Sequence, residues 1–370
     1  MRVLVNALSL GWLSGKHVLF GHLRQLAKWS AGKHEFLLLH RADTSINELS
    51  DLPNVSGIVA PGSAAHWTTR MAWEFFSLPR LMTQQGVDTY FTPTGTILPR
   101  SPVPQVTLAQ NPWCMMPGLQ RGASEKFKAW LQRRACRKAF RSADLMVYNS
   151  QHMRDLYQSI SPGLHERNQL VAYQGIDDET HDLAAQSQVP RIDHRILAVS
   201  VMAHWKGAEV VVAAVAGMKK RGVDAELKLV GPWADMQYRS RVEAEIAAQG
   251  VSDRVEIAGQ VTREELHQHY ASARVFCLMS RCESFGIPAV EAQAFGTPVV
   301  GSSVCAMPEI GGEGGHFVSP DNVSGVADAL QKLLTDSEHW IDMSQRAKTN
   351  AAKYRWDECS RPLMKIFDLA

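Results

Sequence analysis

Short apolar runs alternate with amphipathic stretches along almost the whole chain. "RVLVNAL" reads as a buried strand, and "HVLFGHLRQLAKWS" after it carries apolar residues at helical spacing. "EFLLLHR", "VDTYFTP", "PQVTLAQ" and "ADLMVYNS" are further strands with helical stretches between them. Runs this apolar fit strands covered on both faces, which is the condition of a parallel sheet with helices on either side. Around residues 181–194, "HDLAAQSQVPRIDH" loses this periodicity and reads as a linker. The rhythm then restarts with "RILAVSV", the helix "GAEVVVAAVAGMKKRG", "AELKLVG", "RVEIAGQV", "ARVFCLMS", "TPVVGSS" and "GGHFVSP". The expectation is α/β with two doubly wound, Rossmann-like domains, at 1–185 and 190–351. Ligands of such sheets bind outside the carboxyl ends of the strands, and a crevice between two such domains is a natural active site.

Composition supports two cores rather than one, because 45% of the 370 residues are hydrophobic. The six cysteines form no C-x-x-C pair and several lie in apolar runs, which reads as buried free thiols in a reducing compartment. The first residues enter a strand directly, without the pattern of a signal peptide. No run of about 18 apolar residues exists to cross a membrane. The expected location is therefore cytoplasmic. The net charge is +2, but it is unevenly spread: residues 1–170 hold 19 Lys and Arg against 10 Asp and Glu, and the remainder holds 20 against 27. A basic first half is open to a polyanionic or membrane-surface partner, or is a chance difference between domains.

The first strand leads into "SLGWLSGKH", with Gly11 and Gly15, and not into G-x-G-x-x-G. Nicotinamide chemistry is thereby disfavoured. The densest chemistry lies in "RCESFGIPAVEAQAFGTPVVGSS", where Glu283 and Glu291 stand eight positions apart. Pro288 suits a first helical position and Gly296 a left-handed stop, so a short helix follows the strand ending at Ser280. The N–H groups of Ser284, Phe285, Gly286 and Ile287 then emerge from a helix N-terminus, a ready site for phosphate oxygens. Glu291, one turn in, is placed to accept hydrogen bonds from a ribose diol at roughly 1.5–3 kcal/mol each. Either Glu alone reads more readily as a surface charge complementing the helix dipole, for about 0.3–1 kcal/mol.

Taken together, E-x7-E within "ESFGIPAVEA" resembles the signature of retaining glycosyltransferases of family 4, a group with the two-domain GT-B fold. "ILAVSVMAHWKGAEVVVAAV", "LKLVGPW", "VEIAGQVTREELHQHYASARVFCLMSRCESFG", "MPEI" and "VSPDNVSGVADALQKLL" are similar to successive segments of that family. The likeness is strong over about 196–370 and loose before it, and it implies that the domain at 1–185 binds the acceptor and the domain at 190–351 the nucleotide sugar. The closing "YRWDECSRPLMKIF" resembles the family's last helix, which returns to the first domain, here 352–370. The resemblance implies that Glu283 contacts the donor sugar and that Glu291 binds the ribose. It implies that the main chain of Ser284 to Ile287 holds the diphosphate, and that Lys206 neutralises the departing diphosphate. The base is expected to be read through backbone near Ala258 to Val261.

Two positions depart from the family. Its Arg five residues before the Lys is Val201 here, with His204 or Arg281 as candidate substitutes at the donor. Its His after the strand "VTLAQ" is replaced by Ala109, Gln110 and Asn111, so that Gln110 or Asn111 would supply a neutral contact to sugar or acceptor. The loop Ser14-Gly15-Lys16 is expected to approach the acceptor or the phosphates, since Gly15 lets the backbone come close.

No Asp-x-Asp pair or spaced His cluster occurs, so no metal and no cofactor beyond the donor is implied. The expected reaction is a retaining hexosyl transfer from a UDP- or GDP-linked sugar, through an oxocarbenium-like state, with domain closure as its gate. The acceptor would be a glycan or polyprenyl-linked sugar in bacterial cell-envelope, exopolysaccharide or lipopolysaccharide synthesis. Alternatives are a soluble transferase with a small sugar acceptor, or a nucleotide-sugar-binding protein with weakened catalysis. The basic segment 121–141, with Phe127, Trp130, Leu131 and Phe140, reads as an interfacial helix on the inner face of the membrane or as a solvated basic face. "HWTTRMAWEFFSLPRLM" adds Trp67, Trp73, Phe75 and Phe76 to that surface. No recognition motif for nucleic acid accompanies it.

Overall fold

The computed structural model describes residues 1–10, 13–163 and 168–369. The chain forms two units: Met1–Gly175 with Trp356–Ala370, and Ile176–Arg355. In the first, strands β1 (Arg2–Asn6), β2 (Glu35–His40), β3 (Val55–Val59), β4 (Thr89–Thr92), β5 (Gln105–Ala109), β6 (Leu145–Tyr148) and β7 (Gln169–Val171) build one parallel sheet in the order 3-2-1-4-5-6-7. Helices α1 (Leu13–Trp29), α2 (Trp67–Phe76), α3 (Leu78–Gln84), α4 (Gly122–Ser142) and α5 (Gln151–Ser159) connect them. β4, β5 and β6 are buried along their whole length, whereas the edge strand β3 is half open. Burial on both faces is why these segments are apolar runs and not alternating ones.

The second unit repeats the plan. Helix α6 (Asp178–Gln186) leads into β8 (Ile192–Val199), α7 (Ala208–Lys220), β9 (Glu226–Val230), α8 (Met236–Ala248), β10 (Val255–Gly259), α9 (Arg263–Ser272) and β11 (Ala273–Leu278). Then come α10 (Ile287–Ala294), β12 (Val299–Ser302), α11 (Met307–Gly311), β13 (Gly315–Val318), α12 (Val323–Thr335) and α13 (Ser337–Ala351). The sheet is parallel in the order 10-9-8-11-12-13. Val210, Val211, Val212, Ala214 and Val215 of α7 are all buried, with Leu330 and Leu333 of α12 in the same core. Each sheet reverses its strand order once, between β1 and β4 in the first unit and between β8 and β11 in the second.

Three expectations change. The supposed linker at 181–194 is mostly α6 and the start of β8. Asp178 and Glu179 lie in the first turn of α6, where they complement the helix dipole. The helix belongs to the second unit because Arg263 of α9 donates to Asp177 (2.7 Å) and Thr180 meets His267. The Ser14-Gly15-Lys16 loop is instead the first turn of α1. The closing segment is α14 (Trp356–Ser360) followed by 3-10 turns over Arg361–Leu369, not one long helix. It docks on α1: His22 and Ser360 share a hydrogen bond of 2.9 Å, and a Cβ on Gly21 would collide with the Trp356 ring. Truncating such a buried aromatic typically costs about 3–5 kcal/mol. Gly11 and the side chains of Ser14 and Trp67 lie outside the described residues.

Candidate active site

The second sheet reverses between β8 and β11, so the loops after these two strands border the same crevice. Lys206 lies in the first loop and Glu283 in the second. The two loops are tied together. The N–H of Arg281 donates to the Trp205 carbonyl at 2.7 Å, and the Ser280 hydroxyl donates to the same oxygen at 3.1 Å. Gly207 takes φ +71°, and a Cβ there would strike the carbonyl oxygen of Met279. Glycine is thus required for the β8 loop to lie against the end of β11. The result is an ion pair between Lys206 Nζ and Glu283 Oε1, with side chains only 17% and 14% exposed. Glu283 is also held by its backbone, whose carbonyl accepts from Ala306 N–H at 3.3 Å.

Helix α10 starts immediately after. Gly286 is its N-cap at φ +101°, with Pro288 in the first two helical positions and Gly296 (φ +72°) after the C-cap. N–H groups of a first turn have no acceptor within their own helix. Glu283, the partner of Lys206, stands three residues before the Gly286 N-cap, and both a helix terminus and a lysine favour anion binding. Phe285 is buried against Tyr354, edge to face at 5.5 Å, and contributes its backbone and packing rather than an exposed ring. Cys282 and Cys305 flank Glu283, and burial first and then that carboxylate push both thiols up to about 12. Neither is a thiolate nucleophile at neutral pH.

Glu291 lies one turn into α10 and accepts from the Tyr270 hydroxyl at 2.8 Å. Burial raises its pKa to about 7, opposed by the Tyr270 hydrogen bond and by Arg263, while Asp177 adds to the rise. A carboxylate so destabilised gains from any ligand that brings hydroxyl donors. Tyr270, Arg263 and Asp177 complete this setting and were not assigned from the sequence. Tyr270 stands in the quoted "HQHYASAR", where its helical distance from Glu291 could not be read.

The candidate substitutes for the missing arginine differ. Arg281 is engaged by Asp321 at 2.9 Å and Glu209 at 3.6 Å. His204 packs edge-on to Trp205 at 4.7 Å, in the Lys206 loop. Gly15, Gln110 and Asn111 belong to the first unit. Gln110 Nε2 donates to the Pro93 carbonyl at 3.0 Å, and Asn111 Oδ1 accepts from Trp113 N–H at 3.0 Å. Gln110 thereby ties the end of β5 to the end of β4, and Asn111 caps the turn after β5. Ala258 to Val261 span the end of β10, where the Gly259 carbonyl (φ +72°) accepts from Gly231 N–H at 2.7 Å. Among the described residues no group of three or more His, Cys, Asp or Glu side chains is arranged to hold a metal ion.

Two all-parallel sheets with this order, each wrapped by helices, define the two-domain α/β architecture of GT-B glycosyltransferases. Residues 181–354 match the family model described as Glycosyl transferases group 1. A D-inositol 3-phosphate glycosyltransferase of Corynebacterium urealyticum is 33% identical over 168 residues, 44% of this chain and 40% of its own length. An MMP alpha-(1->4)-mannosyltransferase of Mycolicibacterium hassiacum is 31% identical over 190 residues, 50% of this chain and 45% of its own. The chain thus spans less than half the length of these curated relatives. Anabaena Alr3699/HepE, solved in complex with UDP-glucose, superposes with a TM-score of 0.74 at 18% identity, covering 100% of this chain and 99% of that one. At that identity the likeness shows the fold alone.

Proposed function

We propose that the protein is a retaining, metal-independent glycosyltransferase that moves a hexosyl unit from a UDP- or GDP-linked sugar to a glycan or lipid-linked acceptor of the cell envelope. The observation that carries this reading is the Lys206–Glu283 ion pair at the β8/β11 switch, beside the N-terminus of α10. It combines a cation and backbone donors for a diphosphate with a carboxylate for sugar hydroxyls. The family match of this same segment supports it, as does a fold neighbour whose title records UDP-glucose.

In the proposed reaction the bond between the sugar's anomeric carbon and the diphosphate oxygen breaks, and its electron pair leaves with the nucleoside diphosphate. Lys206 and the α10 N–H groups stabilise that growing charge. The acceptor hydroxyl attacks the face just vacated, and its proton passes to a phosphate oxygen. Glu283 positions the sugar and holds Lys206 in place until the donor arrives. Thermal-shift screening against UDP, GDP, ADP and dTDP sugars tests the donor reading. A rise of several degrees with a UDP or GDP sugar is expected, and no shift with any of the four overturns it.

The surface of α4 favours attachment to an anionic membrane over a purely soluble transferase. Phe127 (61% exposed), Trp130 (48%) and Leu131 (40%) project at helical spacing from the side opposite the buried Ala129, Cys136 and Phe140. Phe127 stacks on Trp130 at 5.9 Å and the Arg134 guanidinium lies 5.0 Å over the Trp130 ring. Lys126, Lys128, Lys138 and Arg141 are exposed around them. Arg133 and Arg137 are not part of this face, since they donate to the carbonyls of Cys114 and Ile160. Each basic residue near an anionic surface is worth about 1 kcal/mol. Co-sedimentation with phosphatidylserine-containing vesicles should be lost on adding salt and fall at least fivefold in a Phe127→Ala, Trp130→Ala double variant. Equal recovery with and without vesicles would favour the soluble alternative.

A further inference from the structure

The core of the first unit holds two thiols that the donor site does not use. Cys114 sits in the 3-10 turn Trp113–Met115 after β5, and Cys136 sits on α4. Each is 4% exposed, and their side chains are hydrogen-bonded to each other. The contact is held from both sides. Arg133, three residues before Cys136 on α4, grips the Cys114 carbonyl through Nε at 3.1 Å and Nη2 at 2.8 Å. The Tyr157 hydroxyl of α5 lies 3.3 Å from Cys136 Sγ and 2.8 Å from the Gly95 carbonyl oxygen. A Cβ on Gly95 would strike that hydroxyl, so glycine leaves it room.

Two thiols in a core can be packing alone, since free cysteine behaves as a small hydrophobe. Packing alone raises a thiol pKa, and burial does raise those of Cys277, Cys282, Cys305 and Cys359. Cys136 departs from them. The hydrogen bond from Cys114 holds its thiol below the ordinary value; burial opposes this and the Tyr157 hydroxyl adds to it. The same hydrogen bond, with burial, pushes Cys114 up. One sulfur thus has thiolate character while its neighbour keeps a proton, the division of roles between an attacking and a resolving cysteine. The single Tyr157 hydroxyl proton can turn from the Gly95 carbonyl to the sulfur as charge develops there.

We infer that Cys114 and Cys136 are an oxidation site, at which hydrogen peroxide closes a reversible disulfide between the turn after β5 and α4. The Cys136 thiolate attacks one peroxide oxygen and the O–O bond breaks. The hydroxide that leaves takes up the proton released by the thiol, and Cys136 becomes a sulfenic acid. The Cys114 sulfur then attacks the Cys136 sulfur. The S–S bond forms, the S–O bond breaks, and the hydroxyl departs with the Cys114 proton as water. Two thiols lose two electrons and one peroxide is reduced to two waters. Sulfurs this buried admit a molecule little larger than water more readily than a bulky disulfide. A thiol reductant reverses the bond by exchange, as suits the transient disulfides of a reducing compartment.

The test counts free thiols in the denatured chain before and after mild treatment of the folded protein with hydrogen peroxide, and maps them by peptide mass spectrometry. The reduced chain should give all six thiols and the oxidised chain two fewer. The missing pair should map to one cross-linked peptide joining Cys114 and Cys136, and dithiothreitol should restore both. In Cys114→Ala the sulfenic acid has no resolving partner, so dimedone should label Cys136. In Cys136→Ala dimedone should leave Cys114 unlabelled. A full thiol count after treatment, or a bond between any other cysteines, overturns the inference. So does an unlabelled Cys136 in the first variant or a labelled Cys114 in the second. The wild-type count and map need no variant to fold, and they decide alone if either alanine variant does not.

Discussion

Lys206→Ala is expected to lower turnover of the nucleotide sugar by about 10²–10³-fold, the scale found when one preorganised electrostatic group is removed from a reacting centre. The size follows from where the charge sits. The ammonium is largely shielded from water and paired with Glu283, so little solvent remains to replace it. Arginine is a poor substitute, because its planar fork does not reproduce a compact point charge. The loss has two separable parts. Removing Lys206 also strands the Glu283 carboxylate in a mostly buried position, which destabilises the fold by roughly 1–3 kcal/mol. A Lys206→Ala, Glu283→Gln double variant removes the stranded charge, so its thermal midpoint should recover while turnover does not. Recovery of turnover in the double variant would mean that Lys206 only neutralises Glu283 and never meets the diphosphate.

Glu291→Gln is expected to move stability and ligand binding in opposite directions. The folded pKa of about 7 lies above the ordinary carboxylate value of 4.5. Between those values the native state binds more protons than the unfolded chain, so stability falls as pH rises through about 4.5 to 7 and stays lower above it. Glutamine keeps an acceptor for the Tyr270 hydroxyl and removes the titration. The second unit should therefore gain on the order of 1–3 kcal/mol at pH 8, about 2–4 °C per kcal/mol for its size. Nucleoside diphosphate affinity should fall about 10–100-fold, because the charged acceptor for the ribose diol is gone. In wild type that affinity should weaken as pH drops below 7, whereas in the variant it should be flat across the same range. A variant that keeps full affinity would remove Glu291 from the ribose site.

The two-sheet architecture was legible because parallel strands are buried on both faces, so β5, β6 and β11 stand out as apolar runs between helical patterns. The linker reading of 181–194 failed because α6 offers few apolar positions and attaches through ion pairs. Asp177 to Glu179 before "THDLAAQ" were the available signal for a helix start. At the site, the resemblance put Glu283 at the sugar and Lys206 at the diphosphate, but neither their ion pair nor the tie through Trp205 and Ser280 could be read, since the partners lie about 75 positions apart. Gln110 and Asn111 were matched by strand position alone; the Gln110 amide bonds to the Pro93 carbonyl after β4 and Asn111 to the turn after β5. Asn6 of β1 and the α2 residues Arg70 and Glu74 come from two stretches of sequence with no shared motif, and only their hydrogen bonds bring them together. In α4 the charges looked alike in sequence, yet Arg133 and Arg137 are consumed by carbonyl oxygens.

The central claim is that the β8/β11 switch of the second unit handles the diphosphate of a nucleotide sugar. Its most direct test is nucleoside diphosphate release from UDP-, GDP-, ADP- and dTDP-linked sugars by wild type and Lys206→Ala under identical conditions. Release from a UDP or GDP sugar by wild type, reduced at least a hundredfold in the variant, is the predicted result. Equal release by both proteins, or release from none of the donors by wild type, would contradict it.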